Sequence, residues 1–399
     1  MTRRGRSVLA LGVVVYAVAW AFGSKPLYPV ASGLIVVSAL AWLWLRLATG
    51  PFRITRRLRA TDVLEGEDVA VRVELEPSRV VSPPQVELVE RIGRLGLQRH
   101  ALRRFRRSYR IDYVLPAVPR GRYAFEDARV ELSDPFGLQR VVVPLHAPAA
   151  LLVFPRLVRL ERLFSDGGAG AREGRRLLLR RASGFELHGV RDYVQGESLR
   201  NVHWRSTARR GHLMVKELED APRDEIAVLL DADANAFAGD SFDFQVRAAG
   251  SILDAHVRRG RRAVLVVNDA ERVVQHIRAP AADWRRALEV LAAVEPNGRA
   301  PLASLLAEEA SAAARALELT VVAAHIDGKL ADRLLERAFS RRRISFVYVD
   351  TGTFVGAAPR PEPLLLRLQA ARIPVAVARA GDDLAASLSE LPLADAAHA

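Results

Sequence analysis

The sequence predicts a multidomain chain: two N-terminal transmembrane helices, a small antiparallel β-sandwich and a C-terminal α/β domain. Three observations predict it. Two uncharged apolar runs open the chain. A period-two alternation of apolar and polar residues follows. Short apolar runs then alternate with amphipathic stretches of helical spacing. The expected boundaries are 1–50 for the transmembrane hairpin, 51–155 for the sandwich, 156–225 for a linker and polar segment, and 226–390 for the α/β domain. With 399 residues, half of them hydrophobic, the chain can bury sizeable cores and is not disordered. Cysteine is absent, which excludes disulfides, thiolate nucleophiles and Cys-ligated zinc or iron–sulfur sites.

The first uncharged run is Ser7 to Ser24 and the second is Pro26 to Leu45. About 20 apolar residues cross a hydrocarbon core about 30 Å thick. Trp20, Tyr28, Trp42 and Trp44 lie near the ends, where interfacial aromatics sit. Arg3, Arg4 and Arg6 precede the hairpin, a cluster from Arg46 to Arg59 follows it, and only Lys25 lies at its turn. The positive-inside rule then places both ends in the cytoplasm. The rival is a signal peptide ending near Ala21-Phe22-Gly23. The second span would still leave the bulk of the chain cytoplasmic. The expected location is therefore a membrane crossed twice, with the lipid bilayer as a partner and the soluble domains cytoplasmic.

The net charge of +13 suggests nucleic acid until it is divided along the chain. Residues 1–59 carry nine basic side chains and no acidic one. Residues 226–399 carry 21 basic and 22 acidic side chains, a net of −1. The excess belongs mostly to the apolar hairpin and its flanks, so no nucleic-acid partner is expected.

From Phe52 to about Ala150 the alternation reads as strands. Val69 to Glu76 is one. Arg103 to Leu115 reads as another, with Phe105, Tyr109, Ile111, Tyr113 and Leu115 on one face. The basic run Arg99–Arg110 is expected to be its solvated face. Asp134-Pro135-Phe136-Gly137-Leu138 is turn chemistry. Ser165 to Ser183, with four glycines near its start, reads as a linker.

Gly184 to Asp220 is the densest polar stretch. Arg191, Asp192, Tyr193, Glu197, Arg200, His203, Trp204, Arg205, Arg209 and Lys216 interleave charge with aromatic rings. Two readings stand. Guanidinium forks beside carboxylates can form an internal network that fixes irregular backbone. The same cations can hold a phosphate or an acidic partner. A catalytic pair of His203 with Glu197 or Asp192 is a third and weaker option.

These residues resemble the signature of the domain of unknown function 58 family. Phe185-Glu186, Arg191-Asp192-Tyr193, Gly196-Glu197, Arg200, Val202-His203-Trp204-Arg205, Ala208-Arg209 and Lys216-Glu217 fill its pattern, with Glu197 where Asp is usual. Arg120-Gly121-Arg122-Tyr123, the Asp134–Leu138 motif and Val153-Phe154-Pro155 also match, as does the two-span start. The resemblance implies a bacterial inner (cytoplasmic) membrane, a von Willebrand factor A-like domain, a MoxR-type AAA+ ATPase as protein partner, and a part in assembly or maturation of other complexes.

The C-terminal elements follow from the pattern. Strands are expected at Ile226–Leu230, Ala263–Val267, Leu319–Ala324, Ile344–Val349 and Pro374–Ala378, with Val273–Ile277 pairing as a hairpin. Helices are expected at Asp243–Arg259, Ala281–Ala293, Pro301–Ala316, Leu330–Phe339 and Pro363–Ala371. Strands alternating with helices give a mostly parallel sheet covered on both faces. Asp231, Asp233 and Asn235 lie where the first of these strands ends, the usual ligand position. By resemblance, Asp231 matches the first residue of the metal-binding Asp-x-Ser-x-Ser loop of von Willebrand factor A domains, while Asp233 and Asn235 replace both serines. Hard oxygen ligands there suit Mg or Ca. A polar turn in which Asp caps a backbone amide is the other reading. No phosphate-binding loop of the Gly-x-Gly-x-x-Gly or Walker type occurs. The expected function is a membrane-anchored cytoplasmic adaptor or scaffold, not an enzyme, with a divalent-metal-dependent enzyme as the alternative.

Overall fold

A computed structural model of the chain describes residues 1–58, 62–78, 81, 83, 85–145, 149–166, 187–193, 202–218, 225–308, 311–340, 342–359 and 361–389. The chain divides into two compact units, Met1–Phe154 and Pro155–Ala399.

The first unit opens with two helices, α1 (Arg3–Phe22) and α2 (Leu27–Ala48). Both are long and apolar enough to cross a membrane. Gly23 ends α1 in the left-handed conformation (φ +61°), which reverses the chain within four residues. Small residues let the pair approach. Gly5, Gly12 and Ala19 are spaced by seven and buried on α1, and Ala31, Ser38 and Ala41 are buried on α2. A Cβ on Gly12 would crowd the Leu34 and Ile35 side chains at 3.0–3.1 Å. Most other apolar side chains point outward: Trp20 is 76% and Phe22 82% exposed.

Nine strands follow: β1 (Phe52–Leu58), β2 (Val63–Leu64), β3 (Val69–Pro77), β4 (Gln85–Ile92), β5 (Leu97–Phe105), β6 (Ser108–Leu115), β7 (Gly121–Ser133), β8 (Arg140–Pro144) and β9 (Ala150–Phe154). They do not form two separate antiparallel sheets. One path runs β1-β3-β6-β5-β4-β7-β9-β2, with β8 on β7. Every pairing is antiparallel except β2 with β9. Val71, Val73 and Leu75 of β3 share a core with Leu88 of β4, Val130 and Leu132 of β7, and Val153 of β9. The sheet therefore folds over onto itself. Leu45 of α2 joins that core, and the Asp134–Leu138 turn receives the start of α1. Thr2 Oγ1 donates to the Gly137 carbonyl at 2.7 Å, while Asp134 Oδ1 accepts the Phe136 amide at 2.9 Å.

The expected single strand Arg103–Leu115 is instead a hairpin. Arg106, at φ +54°, and Arg107 reverse the chain, and Arg104 opposes Tyr109. An even-numbered residue thus faces an odd-numbered one. Leu102 goes into the core with Tyr109, Tyr113 and Leu115, while Phe105 is left 54% exposed.

Inside the folded sheet Arg56 of β1 pairs with Glu90 of β4 and lies over the Phe125 ring at 4.4 Å. Tyr113 donates to the other Glu90 oxygen, and His100 stacks on Tyr113 at 3.9 Å. The Arg56 and Glu90 side chains are 3% and 0% exposed.

The second unit begins with a hairpin of β10 (Leu187–Asp192) and β11 (Met214–Leu218), with α3 (Trp204–Arg210) between them. Then come β12 (Ile226–Asp231), α4 (Ser241–Arg258), β13 (Ala263–Asn268), β14 (Val274–Ile277), α5 (Pro280–Ala293), α6 (Leu302–Ala307) and α7 (Ala312–Arg315). The chain continues through β15 (Glu318–Ala323), α8 (Gly328–Phe339), β16 (Arg343–Val349), α9 (Pro363–Ala370), β17 (Val375–Ala378) and α10 (Leu384–Ser389). The sheet order is β14-β13-β12-β15-β16-β17, parallel except for β14. Along β12 successive side chains enter opposite cores. Val228 and Leu230 pack with α4, α5 and α10 on one face. Ala227 and Leu229 pack with α6, α7, α8 and α9 on the other. The helix expected over Pro301–Ala316 is two short ones. Ser311 caps α7 by accepting the Ala314 amide at 3.0 Å, which starts a new helix after the break.

Two expectations about stability follow. Removing one member of a buried ion pair costs about 3–5 kcal/mol, whereas replacing both with apolar groups is close to neutral. Arg56→Met and Glu90→Leu should each lower the denaturation midpoint strongly, and the double variant should recover most of the loss. Additive losses would show that the two side chains are not coupled. His256 of α4 is fully buried, with neither ring nitrogen hydrogen-bonded among the described residues. Burial pushes its pKa down to about 3, helped by the Arg261 and Arg259 charges and opposed by Asp166. The unfolded imidazole takes a proton near 6.5, so the neutral ring's contribution is intact above that pH. It is lost at about 1.4 kcal/mol per unit as pH falls from 6.5 toward 3. Urea titrations between pH 7 and 4 should show this slope, and His256→Leu should flatten it.

Candidate functional site

Two regions of the second unit concentrate polar chemistry. The first is the β10–β11 hairpin. Arg191 stands opposite Val215, and Val190 opposite Lys216, which places both cationic residues on paired strands. The side chains of Arg191 and Lys216, and the whole of Glu197 and Arg200, lie outside the described residues.

The hairpin closes over α3. Val202 bridges Val215, the His203 amide donates to the Met214 carbonyl at 2.8 Å, and the Met214 amide donates to Thr207 Oγ1 at 3.0 Å. His203 Nδ1 accepts the Ser206 amide at 3.2 Å and lies 2.8 Å from Ser206 Oγ. The imidazole thus caps the helix, which leaves its proton on Nε2. Asp192 pairs with His212 at 2.9 Å instead of with His203. Both are exposed, so this pair adds little stability. Tyr193 is half-buried, and its amide donates to the Leu213 carbonyl at 2.9 Å.

The α3 face is open. Trp204 is 66% exposed, and Arg205 and Arg209 are exposed one turn apart. Neither arginine has an acidic partner among the described residues. The internal-network reading therefore finds no support at these two positions.

The second region is the carboxyl end of the six-stranded sheet. The chain leaves β12 toward β13 on one side, and β15 enters on the other, which makes β12/β15 the topological switch point. Asp231 sits there, 6% exposed. Fully buried Asn268, at the end of β13, donates Nδ2 to Asp231 Oδ1 and to the Ala300 carbonyl, each at 2.9 Å. Asn268 Oδ1 is buried with no hydrogen-bond partner among the described residues. Burial lifts the Asp231 carboxyl to about 6, against the Asn268 hydrogen bond; the Asp233 charge adds to the rise and His325 opposes it.

A loop crosses these strand ends. The Gly298 amide donates to the Ala232 carbonyl at 2.8 Å and its carbonyl accepts Ala234 at 2.9 Å. A Cβ on Gly298 would collide with the Asn268 carbonyl, so the crossing requires glycine. Asn268, Gly298 and His325 were not marked by the sequence pattern. An Asn closing an otherwise apolar strand and the Asn297-Gly298 pair were the available signals.

The proposed metal ligands do not converge. Asp233 Oδ1 accepts the Asn235 amide at 2.9 Å and faces Asn235 Nδ2 at 3.4 Å, which is a turn capped by its own aspartate. Asn235 is exposed, and Asp231 spends Oδ1 on Asn268. Among the described residues no group of three or more His, Asp or Glu side chains is placed to hold a metal ion. The residues present do not fit Mg or Ca.

Residues 189–350 match the family described as "Protein of unknown function DUF58". The match runs from β10 to Asp350, just past β16, and so contains both regions. The chain is 26% identical over 272 residues to "Uncharacterized protein YeaD" of Bacillus subtilis (strain 168), covering 65% of this chain. It spans 66% of that relative's length, just under two thirds. Solved structures give weak likenesses. An alkylpurine DNA glycosylase of Pseudomonas fluorescens has a TM-score of 0.18 at 14% identity, over 31% of this chain and 38% of that one. A conjugative transposon lipoprotein of Bacteroides eggerthii has a TM-score of 0.16 at 15% identity, over 26% and 98%. These scores carry no inference about this chain.

The raised Asp231 pKa has a sign that can be checked. The unfolded carboxyl ionises near 3.8 and the folded one near 6, so the fold favours the protonated form. Ionisation costs stability as pH rises from 3.8 through 6, up to about 3 kcal/mol at neutrality. Asp231→Asn keeps an acceptor for Asn268 and should raise the melting temperature at pH 7.5, with the gain vanishing near pH 4. An equal effect at both pH values would show that the charge is not responsible.

Proposed function

We propose that the chain is a membrane-anchored adaptor of a bacterial inner membrane, with its folded units in the cytoplasm. It presents a von Willebrand factor A-like domain to a protein partner, a MoxR-type AAA+ ATPase, in assembly or maturation of other complexes. The exposed α3 face carries this reading. Trp204 with Arg205 and Arg209 is an aromatic anchor flanked by exposed guanidinium groups that have no acidic partner among the described residues, the composition of an interface centre. Three further observations support it. The two N-terminal helices are long enough to span, the basic flanks favour a cytoplasmic orientation, and the strand order counted from β12 is 3-2-1-4-5-6.

The alternative, a divalent-metal-dependent enzyme, draws on buried Asp231 beside the unpartnered Asn268 Oδ1. No third ligand lies beside them among the described residues, so the adaptor reading is preferred.

Affinity capture of the full chain from solubilised membranes, with ATP present, should enrich an AAA+ ATPase. An aromatic anchor contributes about 2 kcal/mol or more, so Trp204→Ala and the Arg205→Glu, Arg209→Glu variant should each cut the yield by about tenfold or more. Capture of the same ATPase at the same yield by both variants would remove the α3 face from the interface. Capture without any AAA+ ATPase would remove the partner.

A further inference from the structure

Residues 226–399 are almost neutral, yet their charges are unevenly placed. The carboxyl end of the six-stranded sheet carries Asp231, Asp233, Asp269, Asp327 and Asp350 at or just beyond strand ends. The amino end is richer in arginine, with Glu225, Asp254 and Glu318 among its acidic residues. Arg261 and Arg262 precede β13, Arg315 ends α7, Arg342 and Arg343 open β16, and Arg372 precedes β17.

Part of this polarity serves the fold. Helix C-termini gather at the amino end and attract cations. Arg337 caps α7 by donating to the Ala313 and Ala314 carbonyls at 2.8 Å, and Arg342 also donates to Ala314. Buried Glu318 takes Arg261 at 3.2 Å and Arg343 at 3.7 Å. The surplus is what remains. Arg262, Arg315 and Arg372 are exposed and have no acidic partner among the described residues. Arg315 is the last residue of α7 and Arg372 stands two residues past α9, where helix ends favour cations, whereas Arg262 lies four residues past the end of α4.

We infer that this arginine end of the α/β unit docks on anionic phospholipid headgroups of the membrane that anchors the chain. The inference rests on the membrane reading of α1 and α2. Guanidinium forks match phosphate oxygens in pairs, and every basic residue named on this end is arginine. Tethering supplies the other half of the argument. A weak charged face needs a high local concentration of its ligand, and a chain anchored in a bilayer has one. Within the second unit, the segment after Pro155 meets α4 midway and runs along it to this end. The Val158 amide donates to Ser251 Oγ at 3.0 Å midway along α4, and Asp166 and the Glu161 carbonyl both hold Arg259 at 2.9 Å, just past the helix end.

The test uses the full chain in nanodiscs. The chain has no cysteine, so a single Ser340→Cys at the arginine end, or Ala357→Cys at the acidic end, takes a unique spin label. A lipid carrying a headgroup-chelated nickel ion reports proximity. In discs containing phosphatidylglycerol the label at residue 340 should relax several-fold faster than the label at 357. The difference should shrink in pure phosphatidylcholine discs and at high salt. Each surface arginine contributes about fivefold to headgroup affinity, so the Arg262→Glu, Arg315→Glu, Arg372→Glu variant should abolish the difference while keeping its thermal midpoint. Equal relaxation at both labels, or no dependence on anionic lipid, overturns the inference. So does relaxation in neutral discs that depends on the number of chains per disc, which assigns the face to a second copy, or on added RNA, which assigns it to nucleic acid. Release of the chain by carbonate from native membranes overturns the membrane reading itself. Retention without the lipid-dependent signal overturns the docking alone.

Discussion

The second unit depends on one strand. Every residue of β12 from Ile226 to Asp231 is buried, and alternate side chains belong to two different cores. A strand in the middle of a parallel sheet has no solvent face, so its sequence is a continuous apolar run and not an alternation. Both helix layers take their position from that run. A polar substitution at Val228 would strand its group against α4, and one at Leu229 would do so against the opposite layer. Neither layer contains a substitute centre, because β13 and β15 are each placed by pairing with β12.

The same strand delivers the site. A central strand that ends at a switch point carries its last residue to the crevice between two diverging connections. Here that residue is a carboxylate, held in surroundings that oppose its ionisation. Asn268 offers one donor, and the rest of the enclosure is the backbone of the loop through Gly298. A fold optimised only for stability would place an amide or an apolar group at Asp231. Among the described residues its neighbours do not make a metal cage.

How much of this was legible in the sequence differs by region, and for physical reasons. The uncharged runs of the first fifty residues became α1 and α2 because a helix satisfies all the backbone polar groups of about twenty mostly apolar residues within the segment itself. The apolar runs of the α/β unit became strands for the reason given for β12. Val274–Ile277 pairs antiparallel with β13, as the short spacing to Ala263–Asn268 suggests. The β5–β6 reversal was hidden because a two-residue turn leaves the alternation unbroken while exchanging odd for even positions across the pair. Phe105 was misplaced for that reason alone. The break between α6 and α7 was hidden because the alanines around Ser311 suit a helix, and a capping serine is visible only once the chain has turned. In the polar stretch, interleaved charge could not distinguish a network from a surface. That choice depends on which side chains face each other. His203 shows how far it can mislead: a histidine beside a conspicuous tryptophan caps a helix.

Net charge misleads in a similar way. A total of −1 over residues 226–399 describes a neutral body only if the charges are mixed. The βα architecture tends to separate them, because all parallel strands point one way and their helices point the other. Acidic residues favour the helix N-termini beside the strand carboxyl ends, and basic residues favour the opposite end. A modest preference repeated at each βα unit adds up to a polar object with no net charge. The first 59 residues, with nine basic side chains and no acidic one, can be read from a sum, whereas the second unit can be read only after its ends are known. Electrostatic contacts of such a unit are therefore directional. One end favours anions and the other favours cations, and a substitution that leaves the total unchanged can still reverse which surface a partner meets.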